Sequence, residues 1–384
     1  MSQEKLAGPN SRSLAPHRVF LTTSEQEWTG IKTQILSRQL VSIRGSRKFP
    51  GKTRLYGKHQ TRFSMRRIML VFFAWFGFLR IALGWGSEGH KAVGALAERL
   101  ISDETRAKVQ QVLTQGRDSD LASISTWADN VRDAGKGKGP LADDPEAAAF
   151  NQHFPHNGSW HFVDLPLGTR SYADAPGFTS PDDIVHAIAR CIRVLESAQP
   201  GEMTHAQALR LLVHFVADVH QPLHCVSGYY RLEDAKPPEL ITDPKEVVGL
   251  PSDRGGNDLF YGPKDELHAL WDVKLVESIC DSTDSDVLAD YLATKFLSPP
   301  PAVTSGDYHN WAEAWAVESV QAASQAYDGI QFRLARQSQD PPSLQIFISL
   351  PPNYEEVETK VAAQQLAKAA ARLAQLLDRI RWAE

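Results

Sequence analysis

Eleven consecutive residues, His214-Phe-Val-Ala-Asp-Val-His-Gln-Pro-Leu-His224, restrict what this chain can fold into more than any other stretch. They continue an apolar run, Leu209 to Val213, which predicts a helix opened by Thr204 with Ala208, Leu211, Leu212, Phe215 and Val219 as its buried stripe. His214 and Asp218 are four residues apart, so they share one face of that helix, one turn above the other. Pro222 cannot continue the helix, and His224 lies just past the break, where it can turn back toward the same point. Imidazoles and a carboxylate converging from a semi-buried helix are what a zinc ion requires. The bland alternative, a helix with solvated polar residues, does not explain four potential ligands at this density.

Four further segments offer ligands. Trp85-Gly-Ser-Glu-Gly-His90 ends in a histidine, and Ser125-Thr-Trp-Ala-Asp129-Asn-Val-Arg132 sets Asp129 and Arg132 three apart on one helical face. Trp160-His161-Phe162-Val163-Asp164 flanks a histidine with aromatics, and His268-Ala-Leu-Trp-Asp272 repeats the four-residue spacing of His214 and Asp218. A lone histidine is more often an ordinary core or surface residue. Two His-x-x-x-Asp pairs set among apolar residues are harder to dismiss. Five histidines (90, 161, 214, 224 and 268) and three aspartates (129, 218 and 272) exceed what one tetrahedral ion can use, and suit two or three ions sharing carboxylates. Clustered zinc acts on phosphoryl oxygens, which implies a phosphodiester or phosphomonoester substrate. His153, His156, His186, His205 and His309 have no partner at ligand spacing and read as ordinary; His220, inside the motif but six residues past His214, reads as structural.

The chain divides by charge. Residues 1–84 carry 15 Lys and Arg against 3 Asp and Glu, whereas the rest carries 26 against 43, a net −17. Residues 1–64, rich in Ser, Arg, Lys and Gln, read as disordered or as an extension from an upstream start codon. Residues 65–84 read as a secretory signal: Arg66 and Arg67 form a positive start, Ile68 to Leu79 an apolar centre, and Ala82 and Gly84 the small residues a signal peptidase needs. A membrane-spanning helix is the rival, but the run is too short and Arg80 interrupts it. The acidic remainder argues against electrostatic tracking of duplexes and leaves single strands, whose bases can stack on an aromatic such as Phe162.

From Ser87 onward the pattern is helical nearly throughout, which predicts one all-α domain over 85–384. Ser102 and Ser180-Pro181 mark helix starts, and further helices are expected at 265–281, 284–297, 309–328 and from Asn353 to Trp382. No run alternates long enough to suggest a sheet, although Leu344 to Leu350 suits a short strand; 136–158 and 226–264 read as long loops. Three cysteines allow at most one internal disulfide, and Cys225, next to His224, is either a soft ligand or a buried structural thiol.

The segments WGSEGH, TWADNVR, WHFVD, HFVADVHQPLH, RGGNDLF and LHALWD, in this order from Trp85, resemble the S1/P1 nuclease family of zinc-dependent secreted nucleases. The resemblance implies a mainly helical domain, related to zinc phospholipase C, holding three zinc ions in a cleft. Carried over residue by residue, it assigns Asp129, His161, His214 and Asp218 to one ion and His224, His268 and Asp272 to a second. His90, Asp218 and Trp85, through its α-amino group and carbonyl, would hold the third. Arg132 would steady the phosphate at its most crowded stage, Phe162 would stack a base, and Asp164 and Asn257 would meet its edge. The implied protein is a secreted monomer without a membrane span, acting on single-stranded DNA, RNA and 3′-nucleotides to leave 5′-phosphate ends. Phospholipase C activity and a non-catalytic zinc-binding role are the alternatives. The family's multiple disulfides cannot all be present, the 64-residue extension is foreign to it, and Asn157-Gly-Ser159 is a glycosylation sequon close to His161.

Overall fold

A computed structural model describes residues 85–383 apart from 200, 281, 340 and 341; the expected extension and signal segment lie outside the described residues. Its centre is a helix with no solvent face. In chain order the helices are α1 (Gly86–Leu100), α2 (Asp103–Gly116), α3 (Leu121–Ile124), α4 (Trp127–Ala134), α5 (Pro145–His153), α6 (Ile184–Glu196), α7 (His205–Asp218) and α8 (Pro222–Cys225). There follow α9 (Leu267–Ala269), a π-helical turn (Leu270–Lys274), α10 (Leu275–Glu277), α11 (Ser285–Phe296), α12 (Trp311–Ala326) and α13 (Tyr354–Leu377). Thr204 opens α7 as predicted, in a capping box in which its hydroxyl accepts from the Gln207 amide. Every residue from Ala208 to Asp218 is buried, because α2, α4, α6 and α13 surround α7. A wholly apolar helix would bury as well. Burying Leu209, Leu211, Leu212 and Phe215 contributes about 1.5–3 kcal/mol each, which offsets the cost of enclosing His214 and Asp218 with them.

Ser102 caps α2 as expected, its hydroxyl accepting from the Thr105 amide. The expected start at Ser180-Pro181 is displaced: α6 begins at Ile184 because the Asp183 carboxylate accepts from the amides of both His186 and Ser180, which outweighs proline's preference for a first helical position. The stretch 136–158 is not one loop, since it contains α5 and enters a 3₁₀ turn, Asn157–His161.

Strands are more numerous than the sequence pattern suggested. The pairs β1 (Leu165–Pro166) with β2 (Val226–Ser227), parallel, and β3 (Tyr229–Arg231) with β4 (Glu239–Ile241), antiparallel, are short. A three-stranded sheet sets β7 (Pro342–Ser349) between β6 (Gln331–Gln339), antiparallel, and β5 (Leu259–Phe260), parallel. The fold nonetheless remains mainly helical. Among the described residues no helix is long and apolar enough to cross a membrane.

Candidate metal centre

The C-terminal end of α7 meets three other segments. The β1–β2 pair fixes the first: the Val163 amide donates to the His224 carbonyl at 2.8 Å, and the His224 ring nitrogen Nδ1 donates to the His161 carbonyl at 2.8 Å. The second is α1, whose His90 ring stacks on His214 with centroids 3.9 Å apart. The third is the α9–π turn. There His268 Nε2 stands 3.2 Å from Asp272 Oδ2, and His268 stacks on His224 at 5.0 Å. π-helical turns recur at functional sites.

Three of the imidazoles are held alike. His214 Nδ1 donates to Ser125 O at 2.7 Å, His224 Nδ1 to His161 O, and His268 Nδ1 to Gly255 O at 2.7 Å. Each backbone carbonyl takes the ring proton on Nδ1, so Nε2 is turned inward. Facing these nitrogens, Asp218 lies 3.0 Å from His214 Nε2, 3.1 Å from His161 Nδ1 and 3.2 Å from His90 Nε2. Asp129 Oδ1 is 3.7 Å from His161 and 3.8 Å from His214. Ligand atoms gather within 4.8 Å of one another in three sets: His90, Asp129 and His214; His161, His214 and Asp218; and His224, His268 and Asp272.

Both ring nitrogens of His90, Asp129 Oδ1, Asp218 Oδ1, His224 Nε2 and Asp272 Oδ2 are buried without a hydrogen bond. One such atom costs about 1–3 kcal/mol; Arg132 beside Asp129 Oδ1 and His90 Nε2 beside Asp218 Oδ1 offset part of that, but the cluster remains costly to bury. Cations at these positions remove that cost, and the donor set of imidazoles and carboxylates fits zinc. The electrostatics agree. Burial opposes charge on His214 and His268, but Asp218 and Asp129 beside the first, and Asp272 beside the second, push each up to about 9. Burial leaves His161 at about 4, and Asp218 sits well below the usual carboxylate range because His214, His224 and His90 outweigh its own burial. The carboxylates thus favour positive charge on the imidazoles they face.

Above it opens a cleft of about 340 Å³ lined by Arg132, Phe162, Asp164, Arg254 and Asn257 together with His161, His224 and His268. Arg132 Nη1 is 2.8 Å from Asp129 Oδ1, and its buried Nη2 has no hydrogen-bond partner. Phe162 is 40% exposed at the mouth. Ser227 donates to Asp164 at 2.7 Å and accepts from the Gly255 amide, while Asn257 donates to the Arg254 carbonyl at 2.8 Å. Trp85 is fully buried, its indole donating to Ala217 O at 2.9 Å. At Gly86, which follows with φ +61°, a Cβ would come within 2.8 Å of the Asp272 carbonyl. All thirteen residues singled out in the sequence therefore surround one centre.

A family model described as S1/P1 Nuclease matches residues 85–381. The chain belongs to the S1/P1 nuclease family. It is 29% identical to Endonuclease 4 of Arabidopsis thaliana over 51% of this chain and 57% of that protein. With Nuclease P1 of Penicillium citrinum it shares 26% identity over 60% of this chain and 71% of the relative, and with Nuclease S1 of Aspergillus oryzae 23% over 65% and 74%. Against the plant endonuclease, then, the chain spans little more than half the relative's length.

Two residues escaped the sequence reading. Gln221 donates to Asp272 Oδ1 at 2.8 Å and accepts from the Leu223 amide, which aims Asp272 Oδ2 at the centre. Asp253 is buried beneath the cleft and pushed up to about 6 by that burial. It accepts from the amides of Gly228 and Gly256 and the hydroxyls of Tyr230 and Tyr327, which fixes the loop that offers the Gly255 carbonyl to His268. Gln221 was legible only as part of the motif, and nothing in the sequence marked Asp253. His220 keeps out of the three sets: it donates to Val216 O and accepts from Arg372, which holds Glu318 with two 2.9 Å bonds. His153, His156, His186, His205 and His309 also lie outside them. Cys225 is buried and donates to Val219 O, as a structural thiol would. The Asn157 amide of the sequon is buried and bonded to Asn151 and Phe154, leaving no room for a glycan in the folded state.

Proposed function

We propose that this chain is a three-zinc phosphodiesterase that cleaves single-stranded DNA and RNA to 5′-phosphate products and acts on 3′-nucleotides. The reading rests on one observation above others: three imidazoles, each locked by a backbone carbonyl on Nδ1, turn Nε2 into a buried cluster of carboxylates in which His224 Nε2, Asp218 Oδ1 and Asp272 Oδ2 lack hydrogen bonds. Asp129, His161, His214 and Asp218 would hold one ion, His224, His268 and Asp272 a second, and Trp85, His90 and Asp218 a third. Zinc in such sites polarises a phosphoryl oxygen and makes a water acidic enough to ionise near neutral pH.

The side chains do the rest. Asp129 and Asp133 orient the Arg132 guanidinium, leaving Nη2 to donate to a phosphate oxygen as negative charge builds there. Phe162, 40% exposed at the mouth, offers its ring to a base. Asp164, kept in place by Ser227, and the tethered Asn257 present polar atoms to that base's edge. Trp85 contributes an amine only if the chain is cut between Gly84 and Trp85, since a peptide nitrogen is a poor ligand, so the reading includes export and processing.

The test is to express the full chain for secretion, sequence its N-terminus, measure bound metal, and offer single-stranded DNA, duplex DNA and phosphatidylcholine. A chain starting at Trp85, with about three zinc ions and a strong preference for the single strand, is expected. Turnover of lipid alone would make it a phospholipase. A full complement of metal with no hydrolysis at any pH would make it a non-catalytic zinc protein.

A further inference from the structure

A second concavity lies apart from the cleft. It is a groove of about 900 Å³ at the opposite end of α7, bounded by the end of α2, one face of α6 and the loop leading into α7. Four arginines line it (Arg117, Arg190, Arg193 and Arg210) against one acid, Glu146. That concentration stands out in the part of the chain beyond residue 84, whose net charge is −17.

The arginines divide by what already occupies them. Arg210 is spent on Asp118 at 2.9 Å and Glu146 at 3.0 Å, which also neutralises the only acid in the groove. Arg190 lies over the Trp160 ring, 4.6 Å from its centroid, with Asp182 at 3.7 Å. Arg117 and Arg193 are exposed and have no ion-pair partner among the described residues. Two unopposed guanidiniums therefore face an open groove too large for a lone phosphate, and guanidinium forks match phosphate oxygens. Trp160, on which Arg190 rests, precedes His161, which lines the cleft, and the first residue of α7 lies ~14 Å along the helix axis from His214 and ~20 Å from Asp218.

We propose that this groove holds the sugar–phosphate backbone of single-stranded nucleic acid beyond the nucleotides in the cleft. It acts as a sequence-independent anchor that favours long substrates over short ones. The inference rests on the reading of the chain as a single-strand nuclease. Its contacts are to phosphates, so they add affinity without altering the bond cleaved.

The test compares the zinc-loaded wild type with R117E/R193E and the milder R117Q/R193Q. All three are first checked for the same melting temperature and metal content. Binding of a labelled phosphorothioate single strand of about 20 nucleotides is followed by anisotropy across salt concentrations. Losing two phosphate contacts should flatten the slope of log affinity against log salt by about 1.4. Strand affinity should fall about tenfold in R117E/R193E and less in R117Q/R193Q, and KM for the strand should rise while kcat holds. The preference of the wild type for strand over dinucleotide should shrink with it. Unchanged affinity and slope in both variants would overturn the groove while leaving the nuclease reading intact. Arginine-dependent strand binding by a wild type that cleaves nothing would uphold the groove and overturn the nuclease reading. Binding of phosphatidylserine vesicles in place of the strand, lost in the same variants, would overturn the proposal in favour of a membrane contact.

Discussion

The two ends of α7 bury charge in opposite ways. At its N-terminal end Arg210 is enclosed, but every part of its guanidinium has a partner: Asp118 takes Nε and Nη2, Glu146 takes Nη1, and the Gly116 carbonyl takes Nη2 again. At the C-terminal end His214 and Asp218 are enclosed with His90, Asp129, His224 and Asp272, where His90 Nδ1, His224 Nε2 and Asp272 Oδ2 are among the buried atoms left without a hydrogen bond. The same helix, with the same apolar surroundings, thus carries one polar cluster that is complete and another that is not. Completeness within the chain marks a structural device; incompleteness marks a place where something else must bind.

The strongest way to break that contrast is Asp218→Ala. Asp218 faces His90, His161 and His214 at once, so its loss should empty more than one ion site and abolish activity. Elemental analysis and a nuclease assay check this, and an active variant with its full metal content would end the case for a bridging carboxylate. Chelation of the wild type ranks next. Metal bound a thousandfold above its dissociation constant adds about 4 kcal/mol to stability, so stripping it should lower the melting temperature by about 10 °C. The pH dependence has a definite sign. His214 and His268 in the metal-free protein are raised from 6.5 to about 9. Their protonated forms stabilise that state fully below pH 6.5, and the contribution is lost as pH rises through 9. The stripped protein should therefore melt progressively lower from pH 6.5 to 9, and zinc binding should release protons that calorimetry in buffers of different ionisation heat would count. A stripped protein equally stable across that window would show that the carboxylates do not hold protons on the histidines.

How much of this was written in the sequence follows from range. The four-residue spacings of His214 with Asp218 and His268 with Asp272 are local, and helix geometry alone brings each pair together. That His90 stacks on His214 from a segment more than a hundred residues away has no local signature, and only the order of the motifs pointed to it. The strands show the same limit. In β7 the alternation of Leu344, Ile346 and Ile348 inward was visible as a short strand, but β6 is polar and largely exposed, so its pairing with β7 left no trace. Two-residue strands such as Leu165–Pro166 exist only because a distant partner, Val226–Ser227, fixes them, and that pairing is what locks His161 to His224. Gln221 and Asp253 went unnoticed for a related reason: they touch the carboxylate or the loop that holds a ligand, and residue type at a given spacing does not reveal whom a side chain will meet.

Gln221→Leu sharpens the contrast with a smaller effect. The Leu side chain is close in volume and the position stays buried, but Asp272 loses the amide that holds Oδ1 while Oδ2 faces the centre. Partners of this kind are worth about 10- to 100-fold in metal affinity. The variant should lose the ion near His224, His268 and Asp272 at low free zinc and regain it at higher zinc, with the ion near Asp129 and His161 unaffected. Arg210→Met is its counterpart at the other end of α7 and should do the reverse. Removing the guanidinium leaves Asp118 half-buried and unpaired, which should cost about 2–3 kcal/mol in urea unfolding. Zinc titrations of Arg210→Met should overlay those of the wild type. If Arg210→Met weakened zinc binding as much as Gln221→Leu does, the two ends of α7 would be one coupled network, and completeness within the chain would no longer distinguish structural from ligand-binding polar clusters in this fold.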